Sequence, residues 1–115
     1  MARQLTRAVS RFVAACPYVV AIHDLATKVR IELTDSYLLD LYFNATLGKY
    51  AFTLIRHNQR VLGWDNAPHH FQLANPPHHF HDEAGNIESS TLAGVPEQDI
   101  LIVAEIINAC LRDSA

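Results

Sequence analysis

Between residues 19 and 64 the chain passes through five segments of β-type pattern, and no stretch of helical periodicity separates them. That constrains the fold strongly. Parallel neighbours need a crossover of about a dozen residues or more, whereas antiparallel neighbours need only a tight turn, so the five segments predict an antiparallel meander. Residues 19–23 are rich in β-branched side chains that suit a pleated, half-buried surface. Residues 28–33 alternate strictly, with Val29, Ile31 and Leu33 on one side and Lys28, Arg30 and Glu32 on the other, the pattern of a strand with one wet face. Residues 37–43 follow a Thr34-Asp35-Ser36 turn and set Leu39, Leu41 and Phe43 against Asp40. Residues 50–57 and 60–64 read as a hairpin about Asn58-Gln59, and residues 87–89 as a further short strand within a polar excursion.

Helical periodicity is confined to the two ends. In residues 3–15, Leu5, Ala8, Val9, Phe12 and Val13 recur on one face while Arg3, Arg7 and Arg11 form a basic stripe on another, and Pro17 ends the helix. The second helix runs from Pro96 to about Arg112. Proline suits its first turn, Glu97 and Asp99 suit its positive end and Arg112 its negative end, and Ile100, Val103, Ala104, Ile107, Cys110 and Leu111 supply the face to be buried. The expected fold class is therefore α+β: an N-terminal helix, a curved antiparallel β-meander of five or six strands, and a C-terminal helix packed on the sheet.

A chain of 115 residues, half of them hydrophobic, fits one domain spanning 1–115 with a single core. Charged residues make up only 18%, which leaves apolar surface for a partner or for self-association into a homo-oligomer. A formal charge of −3 gives no global attraction to nucleic acid, so any such contact must use a local basic patch. Cys16 and Cys110 form no CxxC, the N-terminal segment is broken by Ser10 and Arg11 where a signal peptide would be continuously apolar, and no run is long enough to span a membrane. These features predict reduced thiols and a cytoplasmic location away from membranes.

The chemistry concentrates elsewhere. Five of seven histidines lie in Trp64-Asp65-Asn66-Ala67-Pro68-His69-His70-Phe71 and Asn75-Pro76-Pro77-His78-His79-Phe80-His81, where three prolines oppose a regular helix or an interior strand and so predict a loop crossing the sheet's rim. Imidazole exchanges protons near neutrality, so His69, His70, His78, His79 and His81 form a candidate acid–base pool, with Asp65 placed to orient one ring by accepting its N–H. Extended backbone turns alternate side chains to opposite faces, so His79 and His81 share a side that His78 does not, and His69 and His70 likewise diverge. Arg56 and Arg60 flank the hairpin turn and are candidates for phosphate or RNA contact if they face the histidines. For Asn66 and Pro68 the plainer role of bracing the turn is favoured. His23 and His57 fall outside the cluster, and Tyr37, Tyr42, Tyr50, Phe52 and Trp64 are read chiefly as core. The rival use of the histidines is a zinc site, with His79-x-His81 as two ligands, a third from His69 or His70, and Asp65 completing the set. The spacing matches no familiar zinc signature, and acid–base chemistry without a metal or other cofactor is the preferred reading.

The order of Tyr50, Arg56 and Arg60, then Asp65-Asn66-Ala67-Pro68-His69-His70, then Pro77-His78-His79-Phe80-His81 resembles the TumE-type toxins of bacterial toxin–antitoxin pairs over about residues 19–111. The resemblance implies a toxin with a cognate antitoxin protein as partner and RNA as target, a metal-independent ribonuclease using the histidine-rich segment. In such chemistry one imidazole takes the 2′-hydroxyl proton, another protonates the leaving oxygen, and arginine stabilises the phosphorane. The alternative from another class is a noncatalytic metal-binding interaction module with histidine ligands.

Overall fold

The computed structural model describes residues 3–68 and 75–114. His69 and His70, two of the candidate acid–base residues, lie outside the described residues. Helix α1 (Arg3–Ala15) is followed by strands β1 (Val19–Asp24), β2 (Val29–Leu33), β3 (Tyr37–Asn44), β4 (Lys49–Arg56), β5 (Gln59–Asp65), β6 (His79–His81) and β7 (Ile87–Ser89), and then by helix α2 (Pro96–Ser114). The seven strands form one sheet in sequence order, each antiparallel to the next.

Strand pairing sorts the side chains into two faces. One row runs Ile31, Leu39, Leu54, Leu62 and the next Val29, Leu41, Phe52, Trp64, Phe80, each residue opposite the one before it on the neighbouring strand. These rows meet Leu5, Ala8, Val9 and Phe12 of α1 and Ile100, Val103, Ala104, Ile107 and Leu111 of α2 in a single core, so both helices cover the same face. Burying each such side chain contributes about 1.5–3 kcal/mol, which fixes the register because a slip of one residue would send the whole row to water.

The opposite face carries the alternate residues. Arg30, Asp40, Thr53, Gly63 and His81 form one row across five strands, and Tyr42, Ala51, Asp65 and His79 form the next. Among the described residues neither helix covers this face. The wet side of β2 and the isolated Asp40 of β3 both belong to it, as their alternation predicts.

Three local readings differ from expectation. The strand number is seven rather than five or six, because residues 79–81 are not loop. Pro68, Pro76 and Pro77 restrict the backbone only up to Pro77, and beyond it every residue again has an N–H to give, so His79–His81 enters the sheet between β5 and β7 instead of crossing its rim. The hairpin turn falls one residue earlier, at His57-Asn58, where both residues hold positive φ of 52° and 62° and Gln59 already pairs with Arg56. A two-residue turn with that sign of φ matches the right-handed twist of the strands it joins.

Candidate active site on the open face

Asp65 is the last residue of β5 and pairs directly with His79 on β6, while Gly63 pairs with His81. Directly opposed residues point to the same side, so Asp65, His79 and His81 come together on the open face. Asp65 Oδ1 lies 2.5 Å from His79 Nε2 and Oδ2 lies 2.9 Å from His81 Nε2. The two imidazole rings meet edge to face with centroids 5.3 Å apart. Phe80 between them turns to the other side and packs on Trp64, 5.2 Å between centroids. The parity expected for His79 and His81 is thus realised.

The protons of this triad follow from its neighbours. His79 Nδ1 is 2.7 Å from the Pro77 carbonyl, which can only accept, so Nδ1 carries a proton and donates it. The other ring nitrogen and Asp65 Oδ1 then share one proton across their short contact. His81 donates from Nε2 to Oδ2, leaving Nδ1 bare, and that buried atom has no hydrogen-bond partner among the described residues. Burial pushes the His81 imidazole below its ordinary value, the hydrogen bond to Asp65 opposes the shift, and the Arg60 charge and His79 add to it. His81 is therefore neutral at physiological pH.

Exposure divides the three unequally. His79 and His81 are 2% and 8% exposed, but the Asp65 side chain is 24% exposed and borders an apolar-walled cavity of about 440 Å³ with Tyr42, Lys49, Ala51 and Pro68. This reverses the geometry expected from the sequence, in which Asp65 supports a ring that meets substrate. Here two buried imidazoles support a carboxylate that faces outward. Asp65 Oδ1 also accepts the Ala67 N–H at 3.1 Å, which fixes its rotamer.

The remaining candidates separate cleanly. Arg60 joins the site: its Cδ lies 3.1 Å from where a Cβ on Gly63 would sit, and the His81 ring is 3.7 Å from the same point, so the missing side chain of Gly63 makes room for both. Arg56 does not join it. It pairs with Tyr37 on the helix side, its guanidinium stacks 4.7 Å above the Tyr37 ring, and Nε donates to the Asp35 carbonyl at 3.1 Å. His78, as alternation demands, leaves its neighbour and stacks on Tyr50, with the Tyr50 hydroxyl 2.8 Å from Nδ1. Burial, followed by the charges of Asp99 and Asp65, raises the Tyr50 phenol well above its ordinary value, so it stays protonated as a structural hydrogen-bonding group. Asn66 braces the turn as expected, accepting from the Tyr50 N–H at 3.0 Å and donating to the Gly48 carbonyl at 2.7 Å.

Two contributors escape a reading of the sequence. The Pro77 carbonyl has no side-chain signature, and Gly63 looks like an ordinary small residue in a strand until its cross-strand partner is known. The basic stripe of α1 is partly engaged: Arg7 approaches the Glu97 carboxylate at 3.5 Å and Arg11 donates to the Glu97 carbonyl at 2.9 Å. Cys16 and Cys110 are both free thiols. No helix among the described residues is long and apolar enough to cross a membrane.

Comparison with known proteins adds one finding. The family model described as Toxin TumE matches residues 5–110, nearly the whole chain. No curated protein and no solved structure matches it.

Proposed function

The chain belongs to the TumE toxin family and so has a toxin role with an antitoxin as its counterpart, and we propose that it exerts that role by cleaving RNA at the Asp65, His79 and His81 centre without a metal. The observation that supports this most directly is the convergence of two buried imidazoles on the two oxygens of one outward-facing carboxylate. Such a triad holds two exchangeable protons, one shared between His79 and Asp65 and one on His81 Nε2. Strand cleavage by the neighbouring 2′-hydroxyl needs that hydroxyl deprotonated and the departing 5′-oxygen protonated. Asp65 takes the first proton, the hydrogen-bonded triad returns one to the leaving oxygen, and its proton count is the same before and after. Asp65 is the catalytic residue in this reading, and His79 and His81 are positioning residues that hold its protons and orientation.

In this reading Arg60, whose charge acts on His81, meets the phosphorane charge, and the cavity next to Asp65, with Lys49 among its lining residues, holds the nucleotide. The test is induced expression of the wild type, Asp65→Asn and His79→Gln, with growth and total RNA followed together and folding checked by circular dichroism. The expected result is growth arrest with RNA fragmentation for the wild type and loss of both for the two variants. Arrest that persists in folded Asp65→Asn, or arrest with intact RNA, overturns the reading.

A further inference from the structure

Three metal-type donors meet at a single point on β5 and β6. An oxygen of Asp65 and ring nitrogens of His79 and His81 all lie within 4.8 Å of one another. We infer that this centre is a binding site for a zinc-class divalent cation. Two neutral imidazoles and one carboxylate are a donor set that zinc takes in tetrahedral sites, with a fourth position left for water. Magnesium and calcium prefer a shell of oxygens and suit it poorly.

The surroundings of His79 match that use. An imidazole that binds a metal through one nitrogen characteristically donates its other N–H to a carboxylate or backbone carbonyl, which holds the ring in aim. His79 already does this through Nδ1 to Pro77. At zinc–ligand distances near 2.0–2.2 Å, tetrahedral donors stand about 3.3 Å apart. The two hydrogen-bonded pairs, at 2.5 and 2.9 Å, need to open by less than about 1 Å to accept the ion. Asp65 borders the cavity and gives the ion a path to solvent.

Loading is a balanced exchange. Bonds form from zinc to Asp65 Oδ and to Nε2 of His79 and His81. The proton shared by His79 and Asp65 leaves to solvent, and the His81 proton moves from Nε2 to Nδ1, with no change of oxidation state. A carboxylate bound to zinc no longer accepts a proton from a 2′-hydroxyl, so the loaded form is switched off. That consequence rests on the acid–base reading above, whereas the site itself rests only on the geometry.

The experiment uses untagged full-length protein stripped with a chelator. Titration with cobalt(II) is expected to give the intense visible absorption of a four-coordinate site at one equivalent, abolished by zinc. Asp65→Asn and His79→Gln should each weaken binding at least about tenfold, while His23→Asn and His57→Asn, outside the centre, should not. Should either ligand variant unfold, nitrogen chemical shifts of the wild-type histidines identify the ligands instead: Nε2 of His79 and His81 must move on zinc addition. Absence of stoichiometric binding, or binding unchanged in folded ligand variants, overturns the site. RNA cleavage inhibited by zinc and restored by chelator supports the site as one whose loading occupies the Asp65 carboxylate. Cleavage that requires zinc keeps the site and overturns the metal-independent reading, so the two failures are distinguishable.

Discussion

Two carboxylates stand on the same open face of the same sheet, Asp40 on β3 and Asp65 on β5, and their partners make them chemically opposite. Asp40 receives Arg30 Nε at 2.8 Å and Nη2 at 2.9 Å, with Lys28 Nζ at 2.8 Å. Burial alone would raise its pKa, but the hydrogen bonds and charges of Arg30 and Lys28 more than offset this and hold it below the ordinary carboxylate value. Its cations do not exchange protons near neutrality, so the cluster can only stabilise. Asp65 has imidazoles where Asp40 has fixed cations, and its hydrogen bonds contain protons that can move. A carboxylate's partners, more than its burial, decide whether it belongs to the scaffold or to the chemistry.

Exchanging the two residues' fates is the sharpest way to test that contrast. Asp65→Asn is expected to lower RNA cleavage by about 10²- to 10⁴-fold while leaving the far-ultraviolet dichroism and the cooperative melt in place. Asp40→Asn should do the reverse, lowering stability by about 3 kcal/mol in denaturant titration because Arg30 and Lys28 lose their counter-charge, with cleavage by the remaining folded protein unchanged. Equal loss of activity in both variants would erase the distinction. The acid limb sharpens it further. A depressed folded value means that Asp40 contributes its stability fully above the 3.8 of a free aspartate and loses it as pH falls through the folded value. Melting temperatures of wild type and Asp40→Asn should therefore stay apart at neutral pH and converge below that point.

Smaller effects are expected around the arginines. Arg60→Gln should reduce cleavage about tenfold or more, through kcat if it meets the phosphorane, whereas Arg56→Gln should leave cleavage within about twofold, because Arg56 packs on Tyr37 away from the triad. Steady-state kinetics on a short RNA separates the two. The smallest change is expected from Gly63→Ala, whose new methyl group has the flexible Arg60 stem at 3.1 Å and the His81 ring at 3.7 Å as its nearest neighbours among the described residues. Stability should shift by less than about 1 kcal/mol, and the displaced guanidinium should appear as a partial copy of the Arg60→Gln defect.

Those two arginines also show where the sequence stops being informative. Simple alternation puts Arg60 on the same side as Leu62 and Trp64, toward the helices. A register shift after Leu54 pairs Ile55 with Arg60 but Leu54 with Leu62, so Val61 is the extra residue and Arg60 turns to the open face. The bulge leaves no mark in the hydrophobic pattern. The β3 row, by contrast, was legible because Leu39 and Leu41 stand on either side of the charged Asp40. His79 and His81 as a pair, and His78 apart from them, followed from the same two-residue period. Residues 79–81 form a strand rather than the expected loop because a proline restricts its own residue and the one before it, and none lies beyond Pro77 in this segment.

The amino-acid order alone determined the two amphipathic helices, the antiparallel meander between them and the common side of His79 and His81, since each is a periodicity written over a few neighbouring residues. Only the tertiary structure decided that β6 docks on β5 with His79 opposite Asp65, that Gly63 vacates space for Arg60 and His81, and that the carboxylate rather than an imidazole meets the solvent. The pairings of Asp65 with His79 and of Gly63 with His81 span 14 and 18 residues of chain, and they depend on which strand edges meet when the core rows close. Local pattern carries a side chain's face, while its partner is settled by packing at a distance.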